Sequence, residues 1–209
     1  MPAAMDSEAW DRRYAERELV WTSQPNRFLV AEVAALPPGR ALDVACGEGR
    51  NTVWLAERGW EVTGVDFSEV GLEKARELAK LRSVGSRWVA ANLLEYTPER
   101  QAFELVLVFY LQVPAAQRRA IVRTVAEAVA PGGAFLLVAH DRSNLEHGYG
   151  GPENAAVLYT ASDVVGDLEG AGLQIERAET VKRPVDTPDG GRIALDALVR
   201  ARRTREGNP

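Results

Sequence analysis

Short apolar runs alternate with stretches of helical periodicity along the chain, without internal repeats or low-complexity tracts. Residues 6–18 carry Asp, Glu and Arg around Trp10 and Tyr14, four apart, and predict a short amphipathic helix. A second helix over about 26–35 ends at Pro37-Pro38-Gly39. The first strand, 41–45, runs into Cys46-Gly47-Glu48-Gly49 and a helix over 51–58, closed by Gly59. The next strand covers 60–66, and Ser68 is a good N-cap for a helix reaching Leu81. A strand near 87–91 precedes the apolar run 103–110, which suits the buried centre of a parallel sheet. A helix over 114–130 stops at Pro131-Gly132-Gly133, and 134–139 is another buried strand. Beyond an irregular, Gly-rich stretch at 141–160 come a helix (161–171) and two strands (173–183 and 191–201). The segment Thr187-Pro188-Asp189-Gly190-Gly191 between them is a hairpin signal. Five or more β–α alternations predict an α/β, three-layer, doubly wound and mostly parallel sheet. The final strand–turn–strand without a helix predicts an antiparallel last strand.

Composition narrows this. A length of 209 residues fits one domain, and 46% hydrophobic with 26% charged residues suits a soluble chain with a sizeable core. No apolar run reaches the ~18 residues of a membrane span. The start, Met1-Pro2-Ala3-Ala4-Met5-Asp6, lacks the basic and apolar stretches of a signal peptide. Cys46 is the sole cysteine, which excludes an intrachain disulfide and fits a reducing, cytoplasmic compartment. With only two histidines beside it, no metal site is expected. The net charge of −5 comes from 30 acids and 25 scattered bases. Without a basic stripe, nucleic acid is a poor partner, because counterion release drives that binding.

The chemistry concentrates in Asp43-Val44-Ala45-Cys46-Gly47-Glu48-Gly49-Arg50-Asn51, between a strand and a helix. Glycines there let the chain turn sharply and bring bare backbone N–H groups against a ligand. A tight strand–helix turn with no ligand has the same local signature. Asp66 ends the second strand 23 residues after Asp43, where a carboxylate accepts both hydroxyls of a ribose. Its plain structural role would be an acid at a helix N-terminus beside Ser68. Together the two features point to a nucleotide site. A dinucleotide fingerprint wants a third glycine three residues after the second, and Thr52 stands there.

The acid, the Gly47-Glu48-Gly49 turn, the acid at Asp66, Asn92-Leu93 after the third strand and Pro131-Gly132-Gly133 before the fifth resemble the class I S-adenosylmethionine-dependent methyltransferases. The closing hairpin matches the reversed last strand of that seven-stranded fold. Gly47-Glu48-Gly49-Arg50-Asn51 and Val62-Thr63-Gly64-Val65-Asp66-Phe67-Ser68 look like the tellurite-resistance and thiopurine-methyltransferase branch, which acts on small molecules. The resemblance implies that Gly47 and Gly49 pass the methionine part of S-adenosylmethionine while Asp43 orders the loop. Asp66 would hold the ribose, and Asn92 and Leu93 would flank the adenine; Asn92 could instead cap a turn. Cys46, Arg50, Phe67 and Phe109 would line the same cofactor. Cys46 is expected as a small residue in the turn rather than a nucleophile.

The N-terminal segment with Trp10, Tyr14 and Trp21 looks like this branch's lid, offering an aromatic face to a sulfonium and excluding water. Arg27 or Asn26 would meet the methionine carboxylate. The acceptor side is expected from Phe109-Tyr110-Leu111-Gln112, His140-Asp141-Arg142 and the 143–160 loop with His147 and Tyr149. Relatives that methylate amino groups on adenine or glutamine carry Asn/Asp-Pro-Pro-aromatic after strand four, and this chain does not. His140 is the best-placed general base, since imidazole titrates near ~6.5, with a structural hydrogen bond as its other reading. Tyr110 is the second catalytic candidate, to take a proton or orient a lone pair. Arg177, Lys182 and Arg183 either face an anionic acceptor or lie on solvated strand faces.

These readings converge on one methyltransferase domain, 1–209, with a lid over 1–36 and a Rossmann-like core over 40–203. It would act as a monomer or homodimer, giving S-adenosylhomocysteine. Transfer to a small-molecule acceptor would be an in-line displacement that needs donor and acceptor collinear at ~3–3.5 Å. A non-catalytic cofactor-binding regulatory module and a nicotinamide-dependent oxidoreductase are the alternatives.

Overall fold

Alternation along the central strands explains the layers. Leu42, Val44, Val106, Val108, Phe135 and Leu137 pack into one apolar cluster, while Ala41, Leu105, Leu107, Leu136 and Val138 pack into another. A sheet buried on both faces in this way needs helices on both sides. The computed structural model describes residues 7–16 and 22–205. In chain order they form α1 (Ser7–Ala15), α2 (Arg27–Val33), β1 (Arg40–Val44), α3 (Arg50–Ala56), β2 (Glu61–Asp66), α4 (Glu69–Leu81) and β3 (Arg87–Ala90). Then come β4 (Phe103–Phe109), α5 (Ala115–Ala126), β5 (Val129–His140), α6 (Asn144–His147), α7 (Ala161–Asp167), β6 (Leu173–Thr187) and β7 (Gly190–Arg203).

The strands make one seven-stranded sheet in the order β3-β2-β1-β4-β5-β7-β6. Strands β1 to β5 pair in parallel, and β7 runs antiparallel to both β5 and β6. Leu29 and Val33 of α2 and Trp54 and Leu55 of α3 cover one face, with α4 beside α3. Ile121, Val122 and Val125 of α5 and Val164 of α7 cover the other. No helix among the described residues is long and apolar enough to cross a membrane.

Two expectations shift. The helix expected over 114–130 stops at Ala126, because Gln101, Ala102 and Phe103 N–H groups bond to the Glu127 and Ala128 carbonyls and draw that stretch into the sheet. Pro131-Gly132-Gly133 therefore lies inside β5, where the register against β4 slips between Phe103 and Leu105. The 141–160 stretch is also less irregular than expected, holding α6 and a 3₁₀ turn over Ala155–Val157. Buried Asn144 ties it down, its Oδ1 accepting from Leu195 N–H at 2.7 Å and its Nδ2 donating to the Gly150 carbonyl at 2.7 Å.

A desolvated ion pair locks α5 to α7. Asp167, with no exposed surface, accepts from Arg118 Nε at 2.6 Å and Arg119 Nε at 3.1 Å, and the Arg118 side chain is only 4% exposed. Removing one member strands the other charge in the interior, so Asp167→Ala is expected to cost about 3–5 kcal/mol in urea denaturation. Replacing Arg118 and Asp167 together by Met and Leu should recover most of that loss; a single-variant cost under ~1 kcal/mol would refute the buried clamp.

Candidate active site

Strand order reverses between β1 and β4, and the crevice outside their carboxyl ends is where open α/β sheets bind ligands. Both strand ends turn through left-handed backbone at residues with a side chain, Ala45 (φ 59°) and Tyr110 (φ 54°). Each costs roughly 1–2 kcal/mol, so packing must impose the bends. Gly47 (φ 51°) and Gly49 (φ 75°) continue the first bend. A Cβ on Gly47 would lie 2.6 Å from Tyr14 Oη, and one on Gly49 would lie 2.7 Å from both Ala75 Cβ and the Trp88 ring. The bend is thus pressed between α1 on one side and α4 and β3 on the other.

Asp66 controls that bend from the end of β2. It is 4% exposed; Oδ2 accepts from Gly47 N–H at 2.8 Å and Oδ1 from Ser68 N–H at 2.9 Å. Burial raises its carboxyl above the usual range, against the opposing pull of these N–H donors. The Phe67 N–H adds to these two donors, and a carboxylate has about four lone-pair positions, so acceptor capacity remains for a ligand hydroxyl. Asp43 has another task. Its Oδ2 accepts from Thr52 Oγ1 at 2.7 Å, and burial pushes its carboxyl up to about 6. Thr52, at the position of the missing third glycine, therefore fastens α3 to β1. Burial also raises the Cys46 thiol well above its ordinary range, with Asp66 and Asp43 adding to the effect, which leaves it a poor nucleophile.

Across the crevice, β4, β5, β6 and β7 bring four polar side chains together. Asp196 has no exposed surface; Oδ2 accepts from Tyr110 Oη at 2.9 Å and Arg183 Nε at 2.6 Å, and Oδ1 lies 3.4 Å from His140 Nδ1. That last contact has ion-pair distance without hydrogen-bond alignment. Burial favours the neutral acid, but the contacts from His140 and Arg183 outweigh it and hold Asp196 below the ordinary carboxylate range. The Tyr110 ring is 4.9 Å from the His140 ring and 5.8 Å from the Arg183 guanidinium. Burial first, then Asp196, pushes the Tyr110 phenol up to about 12. Asp196 was missed in the sequence, although an acid inside the apolar run 193–199 was the available signal.

Comparison with known proteins relates the fold to methyltransferases. A methyltransferase-domain family model matches residues 41–133. The seven-stranded fold is that of the class I methyltransferases. A trans-aconitate 2-methyltransferase of Sinorhizobium fredii is 38% identical over 82 residues, 38% of this chain and 30% of that protein. Ribosomal RNA small subunit methyltransferase C of Alcanivorax borkumensis is 32% identical over 108 residues, 49% of this chain and 33% of that protein. The chain thus spans about a third of the length of these two relatives. Thiocyanate methyltransferase 1 of Brassica oleracea is 24% identical over 84% of this chain and 79% of its own length. In fold, the chain is similar to the N-methyltransferase NodS of Bradyrhizobium japonicum solved with S-adenosylhomocysteine. The TM-score is 0.71 at 19% identity, over 94% of this chain and 97% of that one.

S-adenosylmethionine is the cofactor of the methyltransferases this chain is similar to, and the residues present fit it: a glycine bend after β1 beside a buried acid that backbone N–H groups hold. Phe67 is half-buried next to Asp66, and Leu93 is buried. The exposed Asn92 takes the turn-capping alternative, its Oδ1 accepting from Leu94 N–H at 3.0 Å. Phe109 is buried in the apolar cluster under α2 and α3. Tyr14 is 5% exposed; its backbone carbonyl accepts from Lys74, and the neighbouring Asp11 accepts from the Ser68 hydroxyl, so α1 is strapped to α4. Trp21 lies outside the described residues.

Of the two candidates for the methionine carboxylate, Arg27 is exposed and Asn26 is buried. Asn26 caps α2, its N–H donates to Asn51 Oδ1 at 2.9 Å, and its Nδ2 donates to Tyr110 Oη at 3.3 Å. His147 and Tyr149 are largely exposed, Lys182 is exposed, and Arg177 is taken by Glu32 and Glu179.

Asp43 sets a pH dependence. Its folded value of about 6 lies above the ordinary 3.8, so between these values the native chain holds the proton more tightly than the unfolded one. Its contribution to stability is complete below about pH 4 and falls as pH rises towards 6, by on the order of 3 kcal/mol. Urea denaturation from pH 4 to 7 should show this downward slope, flattened in Asp43→Asn; an unchanged slope would leave the burial argument without support.

Proposed function

We propose that this protein transfers a methyl group from S-adenosylmethionine to a small-molecule acceptor by in-line displacement. The observation that carries the reading is the buried Asp66 carboxylate, held by the Gly47 and Ser68 N–H groups, beside the Gly47–Gly49 bend at the strand switch. When bound, the cofactor supplies a methyl carbon made electrophilic by its sulfonium. Residues 1–36 serve as a lid on the 40–203 core of a single domain, a role supported by Tyr14 packing on Gly47.

On the acceptor side His140 is the proton acceptor and Tyr110 a positioning donor. With the phenol pushed up to about 12, Tyr110 keeps its proton at neutral pH and donates a hydrogen bond to Asp196. The ionised Asp196 favours a proton on His140 Nδ1, which leaves Nε2 to accept one from the acceptor. The 3.4 Å Nδ1 contact has room to tighten when an acceptor fills the crevice. Asp196 thereby acts on the reaction through His140 and Tyr110.

A small acceptor is favoured over nucleic acid on charge, despite the ribosomal relative. The chain is net acidic and its bases are scattered, while trans-aconitate and thiocyanate, named for two other relatives, are small anions. Release of S-adenosylhomocysteine over a panel of thiols, phenols, amines and carboxylates tests the activity. Cofactor binding with no turnover on any acceptor would instead favour a regulatory module.

Two substitutions test the assignments. Asp66→Ala is expected to weaken S-adenosylhomocysteine binding by roughly 1.5–3 kcal/mol in isothermal titration, through lost charge-assisted hydrogen bonds; unchanged affinity removes the ribose role. His140→Ala should lower kcat by about 100-fold on an acceptor that must lose a proton. An undiminished kcat would make His140 structural.

A further inference from the structure

Asn144 and the glycine loop beyond it enclose His140. Asn144, the first residue of α6, is 4% exposed. Its Oδ1 accepts from Leu195 N–H and its Nδ2 donates to the Gly150 carbonyl, each at 2.7 Å, so both ends of the carboxamide are used. Leu195 directly precedes Asp196, the carboxylate 3.4 Å from His140 Nδ1. The Leu195 carbonyl also accepts from the N–H of Asp141, the residue after His140, at 3.0 Å. Gly150 directly precedes Gly151, where an added Cβ would lie 2.9 Å from His140 Nδ1 and 3.0 Å from Cε1 and Cγ. The backbone at 151 therefore passes against the imidazole, and a side chain there would displace the ring. The near end of the loop is as tight: a Cβ on Gly148 would lie 1.8 Å from Asn144 Oδ1. His140 Nδ1 is itself buried, so the nitrogen left to meet an acceptor is Nε2.

We infer that Asn144 and Gly151 are positioning residues for methyl transfer: through their chain neighbours they fix the His140 ring against Asp196, with its proton on Nδ1 and Nε2 left to the acceptor. This rests on the reading of His140 as the proton acceptor and deepens it. In a neutral imidazole the tautomer is set by what each ring nitrogen meets. The Nδ1 contact with Asp196 has ion-pair distance without hydrogen-bond alignment, so a small rotation of the ring decides whether it engages. Asn144 limits that rotation from two sides, holding the β7 residue next to Asp196 and the loop residue next to Gly151. The 143–160 stretch thus acts on the reaction through its backbone.

The chain has two histidines, so nitrogen-15 NMR of the full chain above the imidazole range reads His140 directly, with the largely exposed His147 as internal reference. In the wild type the Nδ1-protonated form of His140 is expected to exceed the other tautomer about tenfold. Asn144→Ala and Gly151→Ala should each bring that ratio to within about twofold of the ratio for His147. Gly150→Ala is the control: Gly150 (φ 71°) and Gly151 (φ 84°) share left-handed backbone, but a Cβ on Gly150 meets nothing within 4 Å. It should keep the wild-type ratio. S-adenosylhomocysteine affinity should move less than twofold in every variant, which reports folding; should Asn144→Ala fail to fold, Gly151→Ala decides. On an acceptor that must lose a proton, Gly151→Ala should lower kcat about tenfold and Gly150→Ala less than twofold. A wild-type His140 protonated mainly on Nε2, a Gly151→Ala spectrum like that of the wild type, or equal effects of the two alanines on ratio or kcat overturns the inference. A wild-type chain that does not bind S-adenosylhomocysteine would instead sink the methyl-transfer reading, while the tautomer ratios still decide what holds His140.

Discussion

The bond from Gly47 N–H to Asp66 Oδ2 joins two strand ends that are neighbours in space but distant in sequence. It closes in a region from which water is largely excluded, where a lost partner leaves a buried charge uncompensated. Asp66 accepts from Gly47 and Ser68, and those two bonds in turn fix the bend. The second bend, at Tyr110, is likewise imposed by packing. Its ring lies against His140, and its hydroxyl donates to Asp196 and accepts from Asn26. The two left-handed turns give adjacent strands, β1 and β4, chain ends that face one crevice.

The two halves of the crevice use burial for different ends. On the β1–β2 side it raises the carboxyls of Asp43 and Asp66, and hydroxyl and N–H donors limit the rise. On the β5–β7 side cationic partners prevail over burial, so Asp196 remains an anion and can organise a proton acceptor. The difference follows from supply: arginine reaches Asp196 directly, while Asp66 is met by backbone N–H groups. On the proposed reading, such a division suits a neutral diol at one end and a proton at the other.

Local pattern carried far in this chain. The alternation in β1 and β4, the Ser68 cap and the hairpin at 187–190 were legible because each depends on residues a few positions apart. The bend after β1 was legible because left-handed backbone favours glycine at Gly47 and Gly49. The end of α5 was not. Its sequence continues as a good helix, and only pairing of 101–103 with 127–128 turns it into strand.

By itself, then, the order of residues determined the doubly wound sheet, its reversed last strand and the acid-and-glycine signature of the cofactor end. Those features follow from periodicity and from backbone angles that few residue types accept. Tertiary structure alone decided that Asp196 meets Tyr110 across 86 positions and that Asn26 reaches the same tyrosine across 84. Which polar groups are withdrawn from water together, and so must answer one another's charge, is set by packing between distant elements, and no local pattern encodes it.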